Sequence, residues 1–131
     1  AEKQALESGE TLNEMHMVEK EASGARIEKY RGQNNSIGGK ITQLFGDSAK
    51  FDFSPYYNSF SLVFVDGSHA FEYTLSDTKE AIKIVRKGGV IIWHYYGLWK
   101  GVTRALEEIE RKDNMGLRNI AGTSLVYWRK S

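Results

Sequence analysis

Apolar and polar positions along this chain come in blocks. Short, nearly unbroken apolar runs alternate with longer charged stretches of helical period. Residues 60–65 (FSLVFV) and 89–93 (GVIIW) read as strands covered on both faces. Between them Phe71, Leu75, Thr78, Ile82 and Val85 recur at spacings of 4, 3, 4 and 3, which is one face of an α-helix. Arg86 and Lys87 suit the negative end of its dipole, and Gly88 is placed to end it. Val102, Ala105, Leu106 and Ile109 form a second helical stripe, with Glu107–Arg111 and Glu108–Lys112 as i,i+4 pairs on its surface. Residues 117–120 and 124–128, on either side of Ala121-Gly122-Thr123, predict a terminal hairpin.

The first part of the chain repeats the alternation more weakly. Residues 15–19 (MHMVE) read as a short strand, and 23–31 as a helix capped by Ser23 and ended by Gly32. Residues 34–39 are turn-like, and 40–45 (KITQLF) read as a strand running into Gly46-Asp47-Ser48. Residues 51–59 form an aromatic loop holding the single proline, Pro55. Strands alternating with helices predict an α/β three-layer sandwich with a mainly parallel sheet, closed by an antiparallel hairpin.

Composition narrows the function. A chain of 131 residues suits one domain, spanning 1–131. Its net charge is +1 with no basic block, so neither nucleic acid nor an anionic membrane is an expected partner. The apolar runs are too short to cross a bilayer. The absence of cysteine excludes disulfides, thiolate nucleophiles and cysteine-based zinc sites, and is compatible with the expected cytoplasmic location.

Open α/β sheets bind ligands beyond the carboxyl ends of their parallel strands. The predicted strands deliver to that edge Glu19; then Gly46, Asp47 and Ser48; then Asp66, Gly67, Ser68 and His69; then His94, Tyr95 and Tyr96. Singly, each is ordinary loop chemistry, and Asp-Gly is a common turn. Together they mark a ligand edge.

The segment FSLVFVDGSHAFEYTLSDTKEAIKIVRKGGVIIWHYYGLWKGVTRALEEI resembles the second half of class I S-adenosylmethionine-dependent methyltransferases. It looks most like their small-molecule and sugar O-methyltransferase branch, where "D-G-x-H" closes one strand and "G-G-hydrophobic … H-D" marks the next. ITQLFGDS resembles the preceding strand and loop, and MHMVEKEASGARIEKYR the one before. The resemblance implies a Rossmann-like fold and S-adenosylmethionine as cofactor, with a small-molecule acceptor. It implies that Glu19 holds the ribose hydroxyls, that Asp47 accepts a hydrogen bond from the adenine amino group with Gly46 and Ser48 beside it, and that Asp66 and Gly67 lie near the sulfonium. It makes His69, His94 and Asp66 the catalytic candidates, the histidines as general bases. Asp66 would be the cation ligand in a metal-dependent member.

Two departures modify these expectations. Where the family has His-Asp, this chain has His94-Tyr95, so no metal is expected. Nothing like the family's glycine-rich turn precedes Glu19, and residues 1–13 supply only Gly9. The expectation is a truncated domain lacking its first strand and binding S-adenosylmethionine weakly or not at all. The open edge of residues 60–65 would then be filled by residues 15–19, by a second copy in a homodimer, or by further residues of the same chain. Two other readings stand beside the methyltransferase: a non-catalytic relic of the fold serving as an interaction or dimerisation module, and another α/β enzyme using Asp66 and His69 without this cofactor. His69 itself is either a base or a core or capping histidine. His16 reads as structural, and the aromatic group Tyr56, Tyr57, Trp93, Tyr95, Tyr96 and Trp99 as packing.

Overall fold

The computed structural model describes residues 41–42 and 44–131. The elements expected at 15–19 and 23–31, and Glu19 with them, lie outside the described residues. Of the strand expected at 40–45, Ile41, Thr42, Leu44 and Phe45 are described, and none is in a strand. A strand needs a neighbour to take up its backbone donors and acceptors, and no described strand lies beside this stretch.

The described chain runs from a short 3-10 turn, Ser54–Tyr56, through β1 (Phe60–Val65), α1 (Phe71–Ile84), β2 (Val85–Trp93), α2 (Lys100–Asp113), β3 (Arg118–Asn119) and β4 (Val126–Arg129). The sheet order is β1-β2-β4-β3. β1 and β2 are parallel, as a strand–helix–strand unit requires. β4 returns antiparallel between β2 and β3, so the second arm of the predicted hairpin, not the first, joins the parallel pair.

Both helices pack on one face of this sheet. Val63 and Val65 of β1, Ile91 and Trp93 of β2, and Val126 and Trp128 of β4 point into that layer. They meet Ala81 of α1 and Val102, Leu106 and Ile109 of α2. The opposite face carries Phe60, Leu62 and Phe64, which stay about half exposed at 45%, 58% and 51%. The described residues thus supply a mixed α/β sheet with one helical layer. None of their helices is long and apolar enough to cross a membrane.

Three local details differ from the sequence reading. In α1 the fully buried positions are Thr74, Thr78 and Ala81, while Phe71, Leu75 and Ile82 are only half-buried. Thr78 can sit in the core because its hydroxyl oxygen accepts the indole N–H of buried Trp93 at 2.9 Å. Second, α1 stops at Ile84, short of Gly88. Val85 is extended (φ −68°, ψ 132°) and pairs with Phe60, after which the pairing jumps to Leu62 and Val90. The intervening residues 86–89 bulge outward through Gly88, whose φ of +81° glycine adopts without strain. Third, Arg111 pairs with Glu108 rather than Glu107, because the i,i+3 geometry already brings it to 2.8 Å. The expected Glu108–Lys112 pair forms at 3.1 Å.

Candidate active site

The register of β1 and β2 decides what meets at their carboxyl ends. Val65 lies opposite Trp93, so the residue after each strand is brought side by side. The His94 N–H donates to the Val65 carbonyl at 3.2 Å. The side chains close the same step: His94 Nδ1 is 3.1 Å from Asp66 Oδ1. Both are partly open to solvent, at 30% and 38%.

Behind this pair lies a chain of rings. Tyr95 stacks on His94 with ring centres 3.8 Å apart. Buried His69 meets the edge of Tyr95 at 4.3 Å and stacks on Trp99 at 4.9 Å. Tyr95 adopts φ of +69°, a left-handed conformation that is a real outlier for an aromatic residue and of the kind found at functional sites. His69, His94, Asp66 and Gly67 share a cavity of only about 10 Å³. That is room for one water at most, so His69 faces packed rings rather than a substrate-sized space. Its loop is held against α2 by Gly101, where an added Cβ would overlap the His69 carbonyl oxygen.

The substrate-sized space lies on the other side of β1. A groove of about 360 Å³ is lined by Ser48, Phe53, Val63, Phe64, Asp66 and Gly67, together with Asp77, Glu80 and Ala81 of α1. A side chain at Gly67 would crowd Asp77 Oδ2 at 3.3 Å. The Asp47 loop stands nearby as a tight turn: the N–H groups of Lys50 and Phe51 donate to the Asp47 carbonyl, and that of Ala49 donates to Oδ1 at 3.0 Å. The Tyr73 hydroxyl of α1 lies 3.0 Å from each Asp47 carboxylate oxygen. A second cavity, of about 330 Å³, opens between α2 and the hairpin around Tyr96, Leu106, Leu117 and Val126.

A family model described as a methyltransferase domain matches residues 3–96. The chain belongs to that methyltransferase family. No curated protein matches it. In this methyltransferase domain the structure brings Asp66 and His94 into contact and puts Ser48, Asp66 and Gly67 on one groove. Gly46 and Asp47 stand in the adjoining turn. His69 is close behind but turned into the ring stack. Tyr73 is the residue that the sequence reading missed. Its spacing carries no signal, because a tyrosine in the first turns of a helix is ordinary; only the fold shows that Asp47 lies under it. Of the aromatic group, Trp93 is core, and Tyr95 and Trp99 enclose His69. Tyr57 donates to Glu80 at 2.9 Å on the surface.

Proposed function

We propose that this methyltransferase domain moves the methyl group of S-adenosylmethionine to a hydroxyl of a small molecule or sugar, with His94 as the general base. The observation that carries this reading is the Asp66–His94 contact at the carboxyl edge of two parallel strands. A carboxylate on Nδ1 favours the tautomer with its proton there, leaving Nε2 as the acceptor for a hydroxyl proton. Asp66 thereby fixes both the tautomer and the ring's direction, and the Tyr95 stack limits its rotation. His69 acts as a positioning residue that braces Tyr95 from behind.

The residues present fit the cofactor. The groove beside β1 is in the size range of small-ligand sites, and its wall of Phe53, Val63 and Phe64 suits a flat base. Asp47 and Asp66 put carboxylates at the two places where a nucleoside amine and a sulfonium cation would be favoured. Glycine at position 67 leaves the groove wall open beside Asp77. When bound, S-adenosylmethionine supplies the electrophilic methyl group. Glu19, in this reading, takes the ribose hydroxyls.

The test is transfer of a radiolabelled methyl group from S-adenosylmethionine to a panel of phenols and free sugars. In place of the sequence expectation of weak binding or none, this reading requires binding that is at least weak, so wild-type protein at millimolar S-adenosylmethionine is expected to label a hydroxyl. His94→Ala should lower the rate by about 10²–10⁴-fold while leaving affinity for S-adenosylhomocysteine nearly unchanged. An unchanged rate in His94→Ala, or label found on amines instead of hydroxyls, contradicts the reading.

A further inference from the structure

We propose that Tyr73 is a positioning residue that makes the nucleoside end of the groove selective for adenine, a role that rests on the methyltransferase reading above and deepens it. The Tyr73 hydroxyl spans both oxygens of Asp47 at 3.0 Å each, across 26 positions of sequence. It ties an exposed loop carboxylate to a helix. The flanking residue Thr74 is buried and donates its hydroxyl to the Ala70 carbonyl at 3.1 Å, so the first turns of α1 give Tyr73 a fixed base. Asp47 is held from its own loop by the Ala49 N–H.

The direction of Asp47 matters because hydrogen bonds weaken steeply away from alignment. A recognition group is selective only when its supporting shell fixes it, and the Tyr73 hydroxyl adds a helix-borne bond to the hold of the loop's own Ala49 N–H. Burial, and then the bond to Asp47, raise the Tyr73 pKa above the ordinary tyrosine value, so its hydroxyl stays protonated as a donor at neutral pH. Adenine offers an amino donor at its 6-position. Hypoxanthine offers a carbonyl oxygen there, which a carboxylate disfavours. The preference for an adenosyl over an inosyl ligand therefore reports directly on how Asp47 is held.

The experiment is titration of S-adenosylhomocysteine and S-inosylhomocysteine into the full chain, followed by protein NMR, with wild type, Tyr73→Phe, Asp47→Asn and the double variant. Tyr73→Phe keeps the ring and removes only the hydroxyl. Wild type is expected to prefer the adenosyl ligand. Tyr73→Phe should cut that preference by about 3- to 10-fold, the worth of one hydrogen bond, through weaker adenosyl binding. Asp47→Asn should abolish or reverse it, and the double variant should look like Asp47→Asn alone, because one residue acts through the other. Equal weakening of both ligands in Tyr73→Phe would show a merely structural role, and tighter adenosyl binding would show competition for the carboxylate; either overturns the assignment. Preference lost in Asp47→Asn but intact in Tyr73→Phe overturns the Tyr73 role alone. Wild-type protein that binds neither ligand overturns the cofactor reading, and the Tyr73 role with it.

Discussion

Thr78 places a hydroxyl at the centre of an apolar layer, and the layer depends on it. Trp93 is fully buried, and its indole N–H has Thr78 as acceptor. Thr78→Val keeps the shape but leaves that donor unsatisfied, which should cost about 1–3 kcal/mol in denaturant unfolding. A surface cluster gives a different kind of prediction. Lys83, and then the Tyr57 hydroxyl, bond to Glu80 and hold its carboxyl below the usual range for glutamate. Because the folded-state pKa is depressed, Glu80 contributes stability that is fully present above the ordinary glutamate pKa and fades as pH falls through the lowered one. Acid titration of the unfolding midpoint should show this, and Glu80→Gln should remove it. The change should be below about 1 kcal/mol, since Lys83 is half exposed. At this scale the sequence was readable where chemistry was out of place. Asp66 ended an apolar run and so stood out. In the sequence Thr78 only fills a stripe, because nothing local reveals that a tryptophan fifteen residues on needs an acceptor.

Between elements, one lysine settles where α1 ends. Lys130 Nζ donates to the carbonyls of Ile82 at 2.7 Å and Val85 at 3.0 Å, satisfying oxygens that the last helical turn leaves open. Its backbone also joins the bulge, with Gly88 N–H donating to the Lys130 carbonyl and Lys130 N–H to that of Gly89. Lys130→Ala should therefore fray the end of α1 and lower stability by about 1–2 kcal/mol. Amide hydrogen exchange is the direct check, with protection expected to fall at Ile84 and Val85. The sequence reading ran this helix on to Gly88 because Arg86, Lys87 and Gly88 are proper stop signals. What overrides them is non-local: Phe60 pairs with Val85, and Lys130 reaches back 45 positions. The stripe of α2, β1 and the hairpin were each found close to where their pattern put them, whereas β2 ends at Trp93 as expected but begins at Val85 rather than Gly89 because of that pairing.

At the scale of the whole molecule, the two faces of the sheet differ among the described residues. Ile91 is completely buried on the helical side, whereas Leu62, on the strand beside it, is 58% exposed on the other. Ile91→Ala should cost about 2–5 kcal/mol. Leu62→Ala should cost no more than about 1 kcal/mol, since most of its area is already in water. Comparing the two by urea unfolding tests whether the core lies where the structure has it. Both strands read alike in sequence, as unbroken apolar runs, so periodicity gave no sign of this asymmetry. What the pattern did convey was the sheet edge at which Asp66 and His94 meet, and the proposed function rests on that edge. The most direct measurement is a ¹⁵N NMR titration of the full chain with S-adenosylhomocysteine. The expected result is a set of shifted amides at Asp47, Ser48, Asp66, Gly67 and His94, along one side of the carboxyl edge. Shifts confined to the cavity between α2 and the hairpin, or none at millimolar ligand, would contradict the assignment of this edge as a methyl-donor site.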